Sequence, residues 1–338
     1  MRKKKRLFGT LSVFALLIAA TVYISLTNGA FDMTVGEVVG TLLHINDDPR
    51  FELIIFDFRL PRIVIAALVG MGLGVAGTVI QGITRNGLAD SGILGINAGA
   101  GAAIVIFMFF FQGQISNLGT MGIMLQPIFG LVGGLIAALT IYFFSFKGGR
   151  LDTERLLLTG IAIGSGFGAL SLYLSLKMKS ADFEMATVWI SGSIYNANWI
   201  YILSMLPWLL ILVPVVFQKA HLLDLFQLEE ATVTSIGVKV EREKSILLLA
   251  SIGIISSCVS VSGSISFIGL MAPHIARSLV GTRHRSIIPV SGAVGMLLVL
   301  IADFIAKTAF SPLEIPVGIV VSIIGVPYFL YLLVKRKQ

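Results

Sequence analysis

The sequence predicts an all-α protein that crosses a membrane about ten times. Of its 338 residues, 56% are hydrophobic and 13% are charged, whereas a soluble domain carries about 25% charged residues. The apolar residues also fall into runs of about 20, the length that a helix needs to cross a bilayer. No soluble fold can hide so much apolar surface. We therefore expect one polytopic transmembrane domain over residues 1–338.

Hydropathy gives the expected spans, of which the third and the eighth are short or interrupted. They are residues 7–27, 62–83, 92–111, 122–145, 155–176, 199–217, 245–262, 266–281, 287–309 and 315–334. The basic stretch Arg2 to Arg6 precedes the first span, as it would in a signal peptide. However, the apolar run is longer than the ~7–15 residues of a signal peptide and no clear cleavage site follows. We interpret it as an uncleaved transmembrane helix.

The basic residues indicate how the chain is oriented. If the amino terminus is cytoplasmic, most of the 25 Lys and Arg residues fall in segments that are also cytoplasmic. The residues that fall on the outer side are Arg50, Arg59, Arg62, Lys177, Lys179 and Lys307. The positive-inside rule therefore predicts that both termini are cytoplasmic. The outer connections, residues 28–58 above all, are correspondingly acidic.

Several classes of function are disfavoured by the sequence. It contains no Walker A motif, so we expect no ATP hydrolysis by this chain. We find no catalytic constellation, and Gly164-Ser165-Gly166 lies within a predicted span, where small residues serve packing. The four histidines are widely separated and Cys258 is the one cysteine, which argues against a metal site, a resident cofactor and a disulfide. The charges alternate with apolar runs rather than forming a basic stripe, which argues against nucleic-acid binding.

The stretch from Arg59 to Gly101 is the most informative part of the chain. It begins with RLPR, continues as a glycine-rich apolar run, breaks at the polar sequence TRNGLAD and resumes as a second small-residue helix. Glycines at short spacings let helices approach closely inside a membrane, so we expect the first of these helices to be packed within a bundle. The break must lie at an interface or in a wet cavity, because lipid cannot satisfy its backbone polar groups.

These motifs resemble the permease subunits of bacterial ABC importers for iron–siderophores and vitamin B12, the FecCD family. The resemblance includes RNGLADSGILG and NAGAG within residues 84–101, SFIGLMAPHIAR at 266–277, LIADFIAK at 300–307 and LEIPVGIVVSIIGVPYFLYLL at 313–333. It covers most of the chain in order. The family pattern usually has Pro where this chain has Gly87.

The resemblance implies a type II ABC importer permease fold in the cytoplasmic membrane. A second permease subunit, identical or paralogous, would complete a central pathway through the lipid bilayer, and two ATPase subunits would drive transport. An extracytoplasmic binding protein would deliver an iron(III)–siderophore chelate, or alternatively vitamin B12 or haem. A different class, an ion-coupled secondary transporter, would need a carboxylate near the bilayer midplane, and Asp303 lies near one end of its span. A membrane-embedded enzyme would need clustered polar residues at one depth, which we do not find.

Three basic residues of the outer side are candidate docking residues. By resemblance, Arg59, Arg62 and Lys307 receive the acidic lobes of the binding protein; the family commonly has Arg at the third position. Chemistry alone also allows interfacial anchors whose long side chains extend to the membrane surface. Asp303 and Lys307 are four residues apart, which places them on one helix face as a possible ion pair.

Residues 218–244 form the longest inner connection and have mixed charge. Their periodicity predicts two short amphipathic helices joined by a turn, ending at a helix-stop glycine. By resemblance this segment seats in a groove of the ATPase, although pattern alone also fits a solvated linker on the membrane surface. The coupling residues implied are Leu222, Leu225, Glu230, Ile236 and Gly237. Val233 and Thr234 depart from the family pattern.

The polar break after the second span contains the candidate gate residues, Asn86 and Leu88. By resemblance, this turn borders the cytoplasmic end of the translocation pathway. The alternative is a static, packed turn.

Overall fold

The computed structural model describes residues 2–29, 31–45, 48–90, 92, 95–111, 119–148, 150–311 and 313–335. Long helices dominate this part of the chain. They are α1 (Arg2–Thr27), α4 (Leu60–Thr84), α5 (Ile96–Phe111), α6 (Gly119–Phe144), α7 (Thr153–Ser175), α9 (Trp199–Gln218), α12 (Val240–Ser262), α13 (Ile268–Val280), α14 (His284–Thr308) and α15 (Val317–Lys335). Within the described residues, eight helices are long and apolar enough to cross a membrane, and α5 and α13 are shorter apolar helices.

Each predicted span coincides with one of these helices, with ends that differ by a few residues. The short third and eighth spans correspond to α5 and α13. The predicted all-α membrane fold is therefore confirmed, while the side on which the termini lie stays a prediction. Two-residue strands, β1 (Phe146–Lys147) and β2 (Arg150–Leu151), pair antiparallel in the connection before α7.

The connections between the long helices contain short helices that the predicted spans do not include. Before α4 lie α2 (Val35–Leu42), α3 (Pro49–Glu52) and a π-helical segment, Leu53–Arg59, and α8 (Ser180–Ile190) follows α7. Thr34 and Glu37 form a reciprocal capping box that starts α2. The hydrogen bonds from the backbone and side chain of Thr34 hold the pKa of the Glu37 carboxyl below its usual range.

Helix α4 lies at the centre of the bundle, as its glycine pattern predicts. Most of its residues are buried, and it packs against α12, α13 and α14. A Cβ atom on Gly70 would collide with the backbone of Gly295, and one on Gly77 would collide with the backbone of Gly269. Glycine is therefore required at these two crossings, because the neighbouring backbones occupy the space that any side chain would need.

Candidate functional site

A large cavity, with a volume of about 780 Å³, borders α7. Residues from five helices, from the connection between α4 and α5 and from the segment preceding α13 line it. They are Leu88, Asp90, Gly92, Asn97, Ala98, Gly101, Gly168, Ser171, Leu172, Ser175, Phe183, Thr187, Trp189, Ile190, Ser191, Ser264, Ser266, Phe267, Leu270 and Phe329. The wall is largely apolar, with small hydroxyl groups among aromatic rings. Such a surface suits a bulky, weakly held molecule better than a bare ion.

The predicted gate turn lies where α4 ends. Arg85 closes the helix in a left-handed conformation, with φ at 51°. The side-chain oxygen of Asn86 accepts a hydrogen bond from the backbone N–H of Leu88 at 3.0 Å. Asn86 therefore shapes the turn, and Leu88 contributes to the cavity wall. Asn86 and Leu88 thus share one turn beside the cavity, and their role as a gate stays a prediction.

Arg85 ties the gate turn to the predicted coupling segment, a contact that sequence reasoning missed. Its Nε donates a hydrogen bond to the backbone carbonyl of Phe226. Its Nη2 donates to the carbonyl of Leu228 at 2.6 Å. Two bonds from one planar guanidinium fix both distance and direction. The sequence does carry a signal for this residue, because Arg85 is the basic residue of the polar break.

Two further polar residues of the cavity were also missed. Asp90 is 7% exposed, and its carboxylate accepts a hydrogen bond from the backbone N–H of Phe267 at 3.3 Å. Phe267 starts α13 in a left-handed conformation, which this bond helps to hold. The amide nitrogen of Asn97 donates to the hydroxyl of Ser264 at 3.1 Å. Both residues belong to the motif that carries the resemblance; Ser91, Ile93 and Leu94 of that motif lie outside the described residues.

The coupling segment contains the two short helices that its periodicity predicts, α10 (Ala220–Leu225) and α11 (Glu230–Ser235). Gly237 follows with φ at 86°, the left-handed backbone expected of a helix-stop glycine. The sequence argument for helices in this segment is confirmed.

The five predicted coupling residues divide into two groups. Leu222 is buried and Leu225 is half-buried, so these two hold α10 against the bundle. Glu230 forms an ion pair with Lys244 of α12 at 3.3 Å. Ile236 is 61% exposed and Gly237 is exposed. Of the five predicted coupling residues, Ile236 and Gly237 are therefore the ones open to a partner.

The outer arginine Arg59 points into the protein. It is 9% exposed, and its guanidinium donates hydrogen bonds to the backbone carbonyls of Leu26 and Phe31. These carbonyls belong to the last turn of α1 and to the loop that follows it. Because the last turn of a helix leaves carbonyls without helical partners, Arg59 acts here as a cap for α1.

Arg62 and Lys307 are also engaged within the chain. Arg62 forms ion pairs of 2.7 Å with Asp303 and with Glu314. Lys307 donates hydrogen bonds to the carbonyl and the hydroxyl of Ser25, at 3.0 and 2.9 Å. Asp303 and Lys307 lie on one helix face but make no direct ion pair: Asp303 pairs with Arg62 of α4, and Lys307 bonds to Ser25 near the end of α1.

Comparison with known proteins identifies the family. The sequence profile of the FecCD transport family matches residues 16–335. The chain belongs to this family. A FecCD relative, the iron-uptake system permease protein FeuC of Bacillus subtilis, is 55% identical over 97% of both chains. The iron(3+)-hydroxamate import system permease protein FhuG of the same organism is 45% identical over 97% of both chains.

A solved structure supports the same assignment. A protein described as a metal-chelate type ABC transporter, in an inward-facing conformation, is 30% identical and superposes with a TM-score of 0.83. The match covers 98% of this chain and 99% of the other. This FecCD chain is therefore a multi-pass permease of the cell membrane and a transport subunit of an ABC system. In the described residues, no group of three or more His, Cys, Asp or Glu side chains is placed to hold a metal ion.

Proposed function

We propose that this chain forms the transmembrane pathway of an ABC importer for iron(III)–siderophore chelates. The observation that carries the proposal is the similarity, over 97% of its length, to permeases named for iron uptake and iron(3+)-hydroxamate import. Residues 1–338 would act as a single permease domain, paired with a second permease subunit, identical or paralogous. Two ATPase subunits would drive it, and an extracytoplasmic binding protein would supply the chelate.

The large cavity supports this cargo. A siderophore provides the iron ligands itself, so the pathway needs no protein ligand for the metal. The walls of the cavity combine apolar side chains with hydroxyl groups such as Ser171 and Thr187. Helix α7 borders the cavity, and other parts of this chain bury only a small share of its apolar residues. We infer that a facing second subunit covers α7 and completes a wider pathway.

Arg85 gives a physical route from ATP hydrolysis to the gate. We propose that Ile236 and Gly237 contact the ATPase, and that Leu222 and Leu225 transmit the resulting displacement to the rest of the coupling segment, residues 218–244. Arg85 is bonded to carbonyls of this segment at Phe226 and Leu228. A shift of the segment would therefore pull on the turn that carries Asn86 and Leu88.

At the outer face, we propose that the binding protein docks around Arg62. Arg59, Arg62 and Lys307 concentrate positive charge there, although each also has a partner within the chain. Glu314 is the more exposed of the two carboxylates on Arg62, with 30% exposure against 2% for Asp303. An acid of the binding protein would share or replace the contact with Glu314.

The test is transport by the complete complex in sealed vesicles. The permease, its ATPase and its binding protein are reconstituted, and uptake is measured for hydroxamate, catecholate and citrate chelates of iron, for vitamin B12 and for haem. We expect ATP-dependent uptake of at least one iron chelate. We expect no uptake of vitamin B12 or haem at a comparable rate. A complex whose ATPase lacks its Walker A lysine provides the background. Uptake of vitamin B12 or haem alone would contradict the proposed cargo.

A further inference from the structure

A second cavity borders the gate turn at Arg85 and Gly87 and has a volume of about 600 Å³. The ends of α4 and α13, the start of α14 and the helix α10 surround it. Its lining residues are Gln81, Gly82, Arg85, Gly87, Asp224, Gln227, Arg277, Thr282, Arg283 and His284. Three of these are arginines and one is a carboxylate. Arginine side chains thus outnumber carboxylates in the lining of the cavity.

The carboxylate, Asp224, is hydrogen-bonded to His284 rather than to the arginines. Asp224 accepts hydrogen bonds from the backbone N–H of His284 at 2.9 Å and lies 2.6 Å from the Nδ1 of the same residue. In the described part of the chain, Arg85, Arg277 and Arg283 form no ion pair with a carboxylate. Three arginines and one carboxylate therefore share the cavity, and the carboxylate contacts His284 rather than an arginine.

The most enclosed of the three, Arg277, retains free donors. Its Nη2 donates a hydrogen bond to the side-chain oxygen of Gln81 at 2.6 Å. Its Nη1 faces Gly87, where a Cβ atom would lie 3.4 Å away. Because Gly87 has no side chain, this edge of the guanidinium stays open to the cavity. Arg283 is exposed and occupies the N-cap position of α14, where its side chain makes no capping hydrogen bond.

We propose that this cavity binds a phosphate group, held by Arg277 and Arg283 with Arg85 at its edge. Guanidinium groups match phosphate because their paired N–H donors fit two of its oxygens. The cavity is much larger than phosphate alone, so it accommodates the rest of an ester, whether a lipid headgroup or a soluble phosphate. A bound phosphate would cross-link the ends of α4, α13 and α14 beside the coupling segment and so set the resting position of α10.

Direct binding to the assembled transporter tests the proposal. The complete complex is purified in neutral detergent, stripped of lipid and titrated with phosphatidylglycerol or phosphatidylcholine, with bound lipid counted by native mass spectrometry. In parallel, its thermal unfolding is followed in orthophosphate and in chloride at matched ionic strength. Preference for phosphatidylglycerol identifies a lipid headgroup. Stabilisation by orthophosphate without lipid preference identifies a soluble phosphate.

Three variants decide whether the arginines form the site. We expect Arg277→Gln to weaken binding about tenfold, because it removes the enclosed charge-assisted contacts, and Arg283→Gln to weaken it about two- to fivefold, because this side chain is exposed. Arg285→Gln removes an exposed arginine that does not line the cavity and should leave binding unchanged. Arg283→Gln breaks no contact with described residues, so it remains informative if Arg277→Gln fails to fold.

Three results would each overturn the proposal. The first is binding that all three variants leave at the wild-type level. The second is no selective binding of either ligand by the wild type. The third is binding by the isolated permease that disappears on assembly. That outcome would mean that an acidic residue of the ATPase occupies the cavity.

Discussion

The outer cation cluster (Arg59, Arg62 and Lys307) and the inner coupling segment are both predicted to contact partners, but they differ in residue type and in exposure. At the outer face, the guanidinium groups of Arg59 and Arg62 turn into the protein and meet carbonyls or carboxylates. At the inner face, Ile236 and Gly237 turn outward and make the end of the segment available. The predicted docking arginines of the outer cluster are thus turned into the protein, whereas Ile236 and Gly237 of the coupling segment are exposed.

The difference follows from where each region is attached. The outer cations lie at the mouths of crowded helices, where the ends of α1, α4 and α14 meet and helix-end carbonyls need donors. The coupling segment leaves the bundle between α9 and α12 and has solvent on its far side. A charged side chain at a crowded helix end therefore forms contacts within the chain. An apolar residue on a segment outside the bundle stays exposed and can contact a partner.

The largest expected effect is the loss of the buried carboxylate at the outer cluster. Asp303→Asn removes the partner of Arg62 from a site where the acid is 2% exposed. Breaking a buried pair leaves an uncompensated charge and costs about 3 kcal/mol of stability. The measurement is thermal unfolding of the purified permease in detergent. Asp57→Asn, an exposed outer acid with the same chemical change, is the control; equal unfolding temperatures for the two variants would contradict the structural role.

The inner segment should respond in function rather than in stability. Gly237→Pro cannot adopt the φ of 86° found there, because proline fixes φ near −65°. We expect uptake to fall about tenfold or more while the amount of permease in the membrane stays normal, since Gly237 is exposed. The matched control is Gly148→Pro, which changes another exposed inner glycine with positive φ, 58°. A Gly237→Pro complex whose ATPase still responds to the binding protein would argue against coupling through this segment.

The gate assignment gives a smaller, conformational effect. In a Cys258→Ser background, Leu88→Cys should change its reactivity toward a cytoplasmic thiol reagent between the nucleotide-free and ATP-trapped states. The expected change is severalfold, because Leu88 already lines a cavity and is half-buried. Ala89→Cys, at a neighbouring position that is 1% exposed, should remain protected in both states. Identical labelling of Leu88→Cys in the two states would contradict the gate assignment and favour a static, packed turn.

The smallest effect separates docking from internal support at Arg62. Glu314→Gln removes the half-exposed partner and should cost less than about 1 kcal/mol of stability. If Arg62 also receives an acid of the binding protein, the freed guanidinium edge should speed association, most strongly at low salt. Association rates measured by surface plasmon resonance at low and physiological salt test this. Rates equal to those of the wild type at both salts would falsify docking through Arg62.

The sequence predicts the membrane spans well because a bilayer imposes length and polarity directly on each helix. It also predicts α10, α11 and the left-handed Gly237, because amphipathic period and glycine chemistry are local properties. The partners of Arg59, Arg62 and Lys307 were not predictable in this way. They depend on which helix ends meet, and residues 241 positions apart in sequence, such as Arg62 and Asp303, become neighbours only in the fold.

The same limit explains the missed residues of the candidate site. Arg85 donates hydrogen bonds to two backbone carbonyls of a connection that is distant in sequence. Every residue has a backbone carbonyl, so residue types do not predict which carbonyls a side chain will contact. Asp90 could be noticed as a carboxylate within the motif, but its contact with Phe267 spans 177 residues. Short connecting helices such as α8 were missed because the sequence reading followed apolar runs long enough to cross the membrane.

The close glycine crossing of α4 and α14 has a consequence for biosynthesis. Ser291 of α14 donates its hydroxyl to the carbonyl of Gly74, and 217 residues separate the two. At ribosomal rates of about 5–20 residues per second, α4 waits roughly 10–40 s in the bilayer before its partner is made. During this interval its glycine surface faces lipid or other newly inserted helices. Thr78 bonds its hydroxyl to the carbonyl of Gly74 within the same helix, so this part of α4 enters the membrane with its side-chain donor already satisfied.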